Sequence, residues 1–217
     1  MGVSFEGWVR TVFDHAPEGP EWFWDPLFYP LWESLGLSDA LTVNYLTRLF
    51  LDPEPLRPYS LPQVAQGIWF LIGESSPAQP SYALIRPEVA LQQRVNCIHS
   101  MAEFFRRFVA PAAPATAQTD SDPFHIACYM WWDIFPSYGG ANAGEPAIHE
   151  ACLQVMEKVL LLASELCQIS ALHGLNHWHL HYASQTERII DNFLASSRGI
   201  TPRIREYAMH ARRGMCQ

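Results

Sequence analysis

Four of the nine histidines fall between residues 167 and 182, in the stretch CQISALHGLNHWHLHY. His173, His177 and His181 recur every four residues, with His179 between the last two. On a helix, side chains four apart project from one slowly drifting face. Two or three imidazoles so placed could chelate a divalent ion such as Zn²⁺. The chemistry would then be metal-dependent hydrolysis on the His173/His177/His181 stripe. No Glu follows the first His, so the His-Glu-x-x-His pattern of a zinc protease is absent. The competing reading is a packed seam. In it His173 is a core histidine bonded to a backbone carbonyl beside Gly174, where a second helix comes close, and the other histidines lie at the surface near a helix end. Packing is the expectation, with no cofactor. Cys167, six residues before His173, is turned about 120° off that face at roughly 100° per residue. The helix offers no carboxylate or thiolate in register, so a completing ligand must come from another helix.

Trp131-Trp132-Asp133 is the second candidate, with Trp178 as a further aromatic beside the histidines. One Trp of an adjacent pair can be buried while the other faces a groove, and Asp133 could contact a cation in a partner. The plainer alternative wedges both indoles into the core, with Asp133 bonded to a backbone group or an Arg, and it is favoured because Trp is highly buried on average. The Pro-broken segment with Trp22, Phe23, Trp24, Phe28, Tyr29 and Trp32 reads as irregular backbone held down by aromatic packing, with an exposed patch or lid as the alternative. Nucleophilic and phosphate chemistry find no support. There is no Gly-x-Ser-x-Gly elbow, and SYGGANAG at 137–144 lacks the Lys-Ser/Thr of a phosphate loop. Asp120 and Asp122 are paired carboxylates in a solvated linker.

The 217 residues are 49% hydrophobic and 17% charged, enough apolar material for a sizeable core and too little charge for a disordered chain. Eight Trp suit a thick core, a sticky surface or both. The formal charge of −8 disfavours nucleic acid, and the C-terminal Arg203, Arg205, Arg212 and Arg213 are too spread to reverse this. An acidic face suits a basic protein partner. The N-terminus shows neither a signal peptide nor a myristoylation pattern, and no apolar run has the length of a membrane span. Cys97, Cys128, Cys152, Cys167 and Cys216 form no Cys-x-x-Cys pair, and four of them sit in apolar helical patterns. Reduced, buried thiols in a cytoplasm are expected.

Helices are predicted almost throughout. Ser4 caps a helix over 5–15 with Phe5, Trp8, Val9, Val12 and Phe13 on one face. Ser38 caps one reaching Leu51. Ser60 and Gln63 form a capping box for one reaching Gly73. Pro87 opens a long helix to Val109, with Arg94 mostly off its apolar face. Residues 111–122 are a small, polar linker dividing an N-terminal half, 1–110, from a C-terminal half, 123–217; composition does not decide between two domains and one. Asp122-Pro123 starts a helix running to Phe135, and Glu145-Pro146 the next. Ser164 caps the histidine helix to Tyr182. Ser184 and Glu187 box a further one closed by Gly199, and Thr201-Pro202 starts the last. Strands and hairpin turns are absent from the pattern.

Ser170-Ala171-Leu172-His173-Gly174-Leu175, followed by a helix with Ile189-Ile190 and Phe193-Leu194, resembles the helix pairs of HEAT-like α-solenoids. Cys128-Tyr129-Met130-Trp131-Trp132-Asp133 and the ALHGL element also resemble an uncharacterised bacterial helical family. The solenoid resemblance covers 123–213 and implies antiparallel helix pairs with a concave binding surface. It transfers no functional residue. Asn176 stands where a small Gly is expected, and no fixed repeat period runs through the chain. The sequence therefore points to an all-α, HEAT-like cytoplasmic protein that binds another protein without catalysis, as an adaptor or immunity protein would, with no nucleic-acid or membrane partner.

Overall fold

Ser4 accepts a hydrogen bond from the Gly7 amide and opens α1, Phe5–Phe13, whose five predicted apolar residues are all buried. The computed structural model describes residues 2–73, 75–76, 78–113, 122–135, 145–196 and 199–215. Among these no strand occurs, and the fold class is all-α. The helices that follow are α2 Phe28–Ser34, α3 Asp39–Leu51, α4 Leu61–Ile72, α5 Leu91–Phe104, α6 Pro123–Tyr129, α7 Pro146–Leu160, α8 Glu165–Ser196 and α9 Pro202–Ala211. Most of 111–122 and the SYGGANAG loop lie outside the described residues.

Local capping set most of these starts. Ser38 accepts from the Leu41 amide, Asp122 from His125 and Thr201 from Ile204. The Ser60 amide donates to Gln63 Oε1 at 3.0 Å. The amide of the same Gln63 reaches back to the His15 carbonyl at 2.9 Å and so fastens α4 to the end of α1. Two expectations shift. α5 begins at Leu91, after Pro87, and continues past Phe104 through a π-helical turn, Phe105–Val109. The helix from Pro123 ends at Tyr129, and 130–135 are turns. α8 consists of two helical segments that meet at non-helical backbone at Tyr182, where φ is −130° and ψ 38°, so the histidine helix ends at the predicted residue and the next segment begins directly after it. The Thr186 hydroxyl donates to the Tyr182 and Ala183 carbonyls at 3.2 and 3.0 Å, bonding that the kinked turn needs.

α3 packs on α5, α4 on α6, α5 on α7, and α8 on α6, α7 and α9. The buried apolar residues on both sides of 111–122 therefore join in one cluster. Trp131 sits at the junction, 5.8 Å from the ring of Phe50, 5.6 Å from Phe104 and 5.1 Å from Phe105. Arg94 is buried instead of facing solvent. Its guanidinium donates to the Val89 carbonyl and to Glu145 Oε1, both at 2.8 Å, and ties α5 to the start of α7. Helix α8 is enclosed nearly all round between Ser170 and Asn176, which are buried without exception. His173 is therefore a core residue, whereas His177 and His179 are partly exposed and His181 is exposed.

Candidate functional site

Two places in this fold carry chemistry: a polar chain through the core of the C-terminal half and an acidic, apolar face in the N-terminal half. The first is built on Gly174. A Cβ there would lie 2.5 Å from Trp132 Cβ and 2.7 Å from Met156 Sδ, so only glycine lets α8 come this close to the turn carrying Trp132 and Asp133. That approach brings the Asp133 carboxylate to 3.5 Å from His177 Nδ1. His177 Nε2 lies 3.2 Å from His173 Nε2. His173 Nδ1 lies 3.1 Å from the Tyr207 hydroxyl on α9, and Tyr207 is 3.0 Å from the Tyr129 hydroxyl on α6. The Tyr129 ring stacks on His173 at 3.8 Å.

The chain of contacts fixes a consistent set of protons. With Asp133 as the terminal acceptor, His177 points Nδ1–H at the carboxylate and accepts on Nε2 from His173 Nε2–H. His173 Nδ1 then accepts from Tyr207. His173 is only 3% exposed. Burial, and then the charge of His177 beside it, push its pKa from 6.5 down to about 3. It is therefore a neutral hydrogen-bonding group at ordinary pH. The unfolded chain takes up this proton near pH 6.5 and the folded one only near 3, so stability is full above pH 6.5 and lost as the pH falls. In metal-free protein His173 should contribute a loss of about 2 kcal/mol between pH 6.5 and 5, at roughly 1.4 kcal/mol per pH unit. Urea midpoints across that range should fall more steeply for the native chain than for His173→Phe; parallel curves would refute the assignment.

The predicted triad is thus regrouped. His173 and His177 meet Asp133, and one ligand atom from each lies within 4.8 Å of the others. His181 is exposed at the end of the first segment of α8 and is not in this group. His179 faces away, 3.2 Å from Glu187, which with Asp191 holds Arg212 of the C-terminal turn. His173 bonds side chains, not the expected backbone carbonyl. Trp131, Trp132 and Trp178 have no exposed surface and line the core. Tyr129, Tyr207 and the Asp133–His177 contact were missed in the sequence reading, because they join three segments far apart in the chain. The four described cysteines are buried, and burial raises each thiol's pKa, that of Cys97 to about 12 and that of Cys167 to about 11. None is poised as a nucleophile.

In the N-terminal half, the aromatic segment is mostly held down around Phe70, whose ring lies 5.0 Å from Trp22, 5.2 Å from Phe28 and 4.8 Å from Trp32. Three large apolar side chains remain outside this packing. Trp24 is 53%, Leu27 79% and Leu31 55% exposed. Leu27 and Leu31 are four apart and share a face of α2, and Trp24 lies one short turn earlier. Near them along the chain Glu18, Glu21, Asp25 and Glu33 are exposed, and among the described residues none is in an ion pair. No Lys or Arg occurs between Arg10 and Arg48. Beside this face is a shallow pocket lined by Trp32, Glu33, Leu37, Asp39 and Arg86.

No protein-family model, curated protein or solved structure matches the chain significantly. No described helix is long and apolar enough to cross a membrane.

Proposed function

We propose that the protein is a non-catalytic binding module whose N-terminal half docks a basic, amphipathic segment of another protein. The observation that carries this reading is the group Trp24, Leu27 and Leu31, exposed together in a stretch, 11–47, whose charged residues are all acidic. Exposed apolar side chains scattered singly are ordinary; three in one short segment of acidic sequence are what an interface needs. A helix with Leu on one side and Lys or Arg on the other would bury the first group and neutralise the second. Such a module would serve as an adaptor or immunity protein in the cytoplasm. The contacts of α8 with α7 and α9 support stacked, HEAT-like helix pairs over 146–211, whereas α3 on α5 and α4 on α6 skip a chain neighbour.

A synthetic Leu/Lys amphipathic helix tests this directly. It should bind, more weakly as salt is raised, and its Leu/Glu counterpart should not. Leu27→Ser with Leu31→Ser should weaken binding at least about ten-fold, because each leucine loses about 1.5 kcal/mol or more of burial. Equal binding of the two peptides, or an unaltered affinity in a double variant with a native helical spectrum, would refute the docking face.

A further inference from the structure

We infer that Asp133, His173 and His177 form a binding site for one divalent transition metal of the zinc type. The site is independent of the docking face. Its geometry is the first argument. The two imidazoles confront each other Nε2 to Nε2 at 3.2 Å. Bonds of about 2.0–2.1 Å at a tetrahedral angle hold two nitrogens roughly 3.3 Å apart. The separation is therefore already the bite of a bound ion.

Orientation is the second argument. Metal-bound histidines characteristically give their other ring N–H to a fixed acceptor. Here His173 Nδ1 has the Tyr207 hydroxyl at 3.1 Å, and Asp133, 3.5 Å from His177 Nδ1 in the metal-free protein, is left free to turn to the ion as a ligand. Stacking on Tyr129 fixes the plane of the His173 ring. Entry of the ion needs one proton to move within His173, from Nε2 to Nδ1, where Tyr207 accepts it. No proton leaves the protein, and the proton of His177 stays on Nδ1.

The third argument is the completing ligand that α8 itself does not supply. Asp133 comes from the turn after α6, and its carboxylate oxygen lies within 4.8 Å of both histidine ligand atoms. Its side chain is 25% exposed and that of His177 26%, which gives both room to rotate inward and opens the site to solvent, whereas His173 is fixed in the core. Two imidazoles and one carboxylate select a borderline ion such as Zn²⁺ over Mg²⁺ or Ca²⁺, which prefer oxygen. Three protein ligands leave a coordination position open.

The test is a zinc titration of chelator-stripped protein, followed by calorimetry and by metal analysis after dialysis. One Zn²⁺ per chain is expected, undisturbed by millimolar Mg²⁺. His177→Ala and Asp133→Asn should each weaken it at least about ten-fold, while His179→Ala and His181→Ala leave it unchanged. Cobalt added in place of zinc should give the visible bands of a low-symmetry, four- or five-coordinate site. The proposal fails if no saturable stoichiometric binding occurs, or if affinity follows His179 or His181 instead. It fails equally if Asp133→Asn, on a partly exposed side chain and with a native helical spectrum, binds zinc as the native protein does.

Discussion

Replacing Trp131 by alanine should cost about 3–5 kcal/mol, the range for emptying a fully buried large aromatic site. In a chain of this size that lowers the melting temperature by about 10 °C. The indole has no exposed surface and touches aromatic rings from α3, α5 and the π-helical turn, besides its neighbour Trp132 at 6.4 Å. No single neighbour can swing into the space, because each is itself packed in the core. Trp131→Phe should cost clearly less. It keeps much of the volume, and the indole nitrogen it removes has no hydrogen-bond partner among the described residues. The comparison is Trp24→Ala, on a side chain that is 53% exposed, which should stay within about 0.5 kcal/mol. Urea denaturation of the three variants measures all of this. Equal losses for Trp131→Ala and Trp24→Ala would mean that Trp131 does not join the two halves.

The helix starts were legible because their causes are local. Ser4, Ser38, Asp122 and Thr201 each bond an amide three residues on, and that geometry is written in neighbouring letters. Ser184 and Glu187 carry the same letters, and a helical segment does begin there, just past the kink at Tyr182, although Glu187 pairs with His179 and Arg212. At this break the Thr186 hydroxyl bonds the Tyr182 and Ala183 carbonyls, and the Tyr182 hydroxyl contacts His149 of α7. The local signal thus marked the break, while tertiary contacts took the Glu187 side chain. Arg94 shows the same limit. Its position along α5 placed it outside, yet Glu145, far along the chain, makes its burial tolerable. The site divides in the same way. The four-residue spacing of His173 and His177 was visible, and so was the close approach at Gly174. Asp133 was visible only as a possible partner-binding acid, because its meeting with His177 depends on how the turn at 130–135 packs against α8. Tyr207 had no pattern to mark it.

Gly174 connects the stability of the fold to the geometry of the site, and its substitution should disturb both. Alanine is the better helix former by about 1 kcal/mol, so an exposed Gly174→Ala would stabilise. Here the added Cβ would fall 2.5 Å from Trp132 Cβ and 2.7 Å from Trp132 Cγ. Met156 Sδ, also at 2.7 Å, ends a flexible side chain and can yield. Trp132 Cβ is fixed to its backbone and cannot, so α8 must move away from the turn. Gly174→Ala should therefore lose a net 1–3 kcal/mol or so, and Gly174→Leu at least about 3 kcal/mol, by overpacking. The displaced turn carries Asp133, the next residue, away from His177. Gly174→Ala, the variant that still folds, should consequently bind zinc more weakly than the native chain, although it changes no ligand. Denaturation midpoints and zinc titrations on the same preparation read the two effects together. A native or raised midpoint for Gly174→Ala would show that α8 and Trp132 are not in contact. Normal stability loss with native zinc affinity would show that the turn yields without moving Asp133.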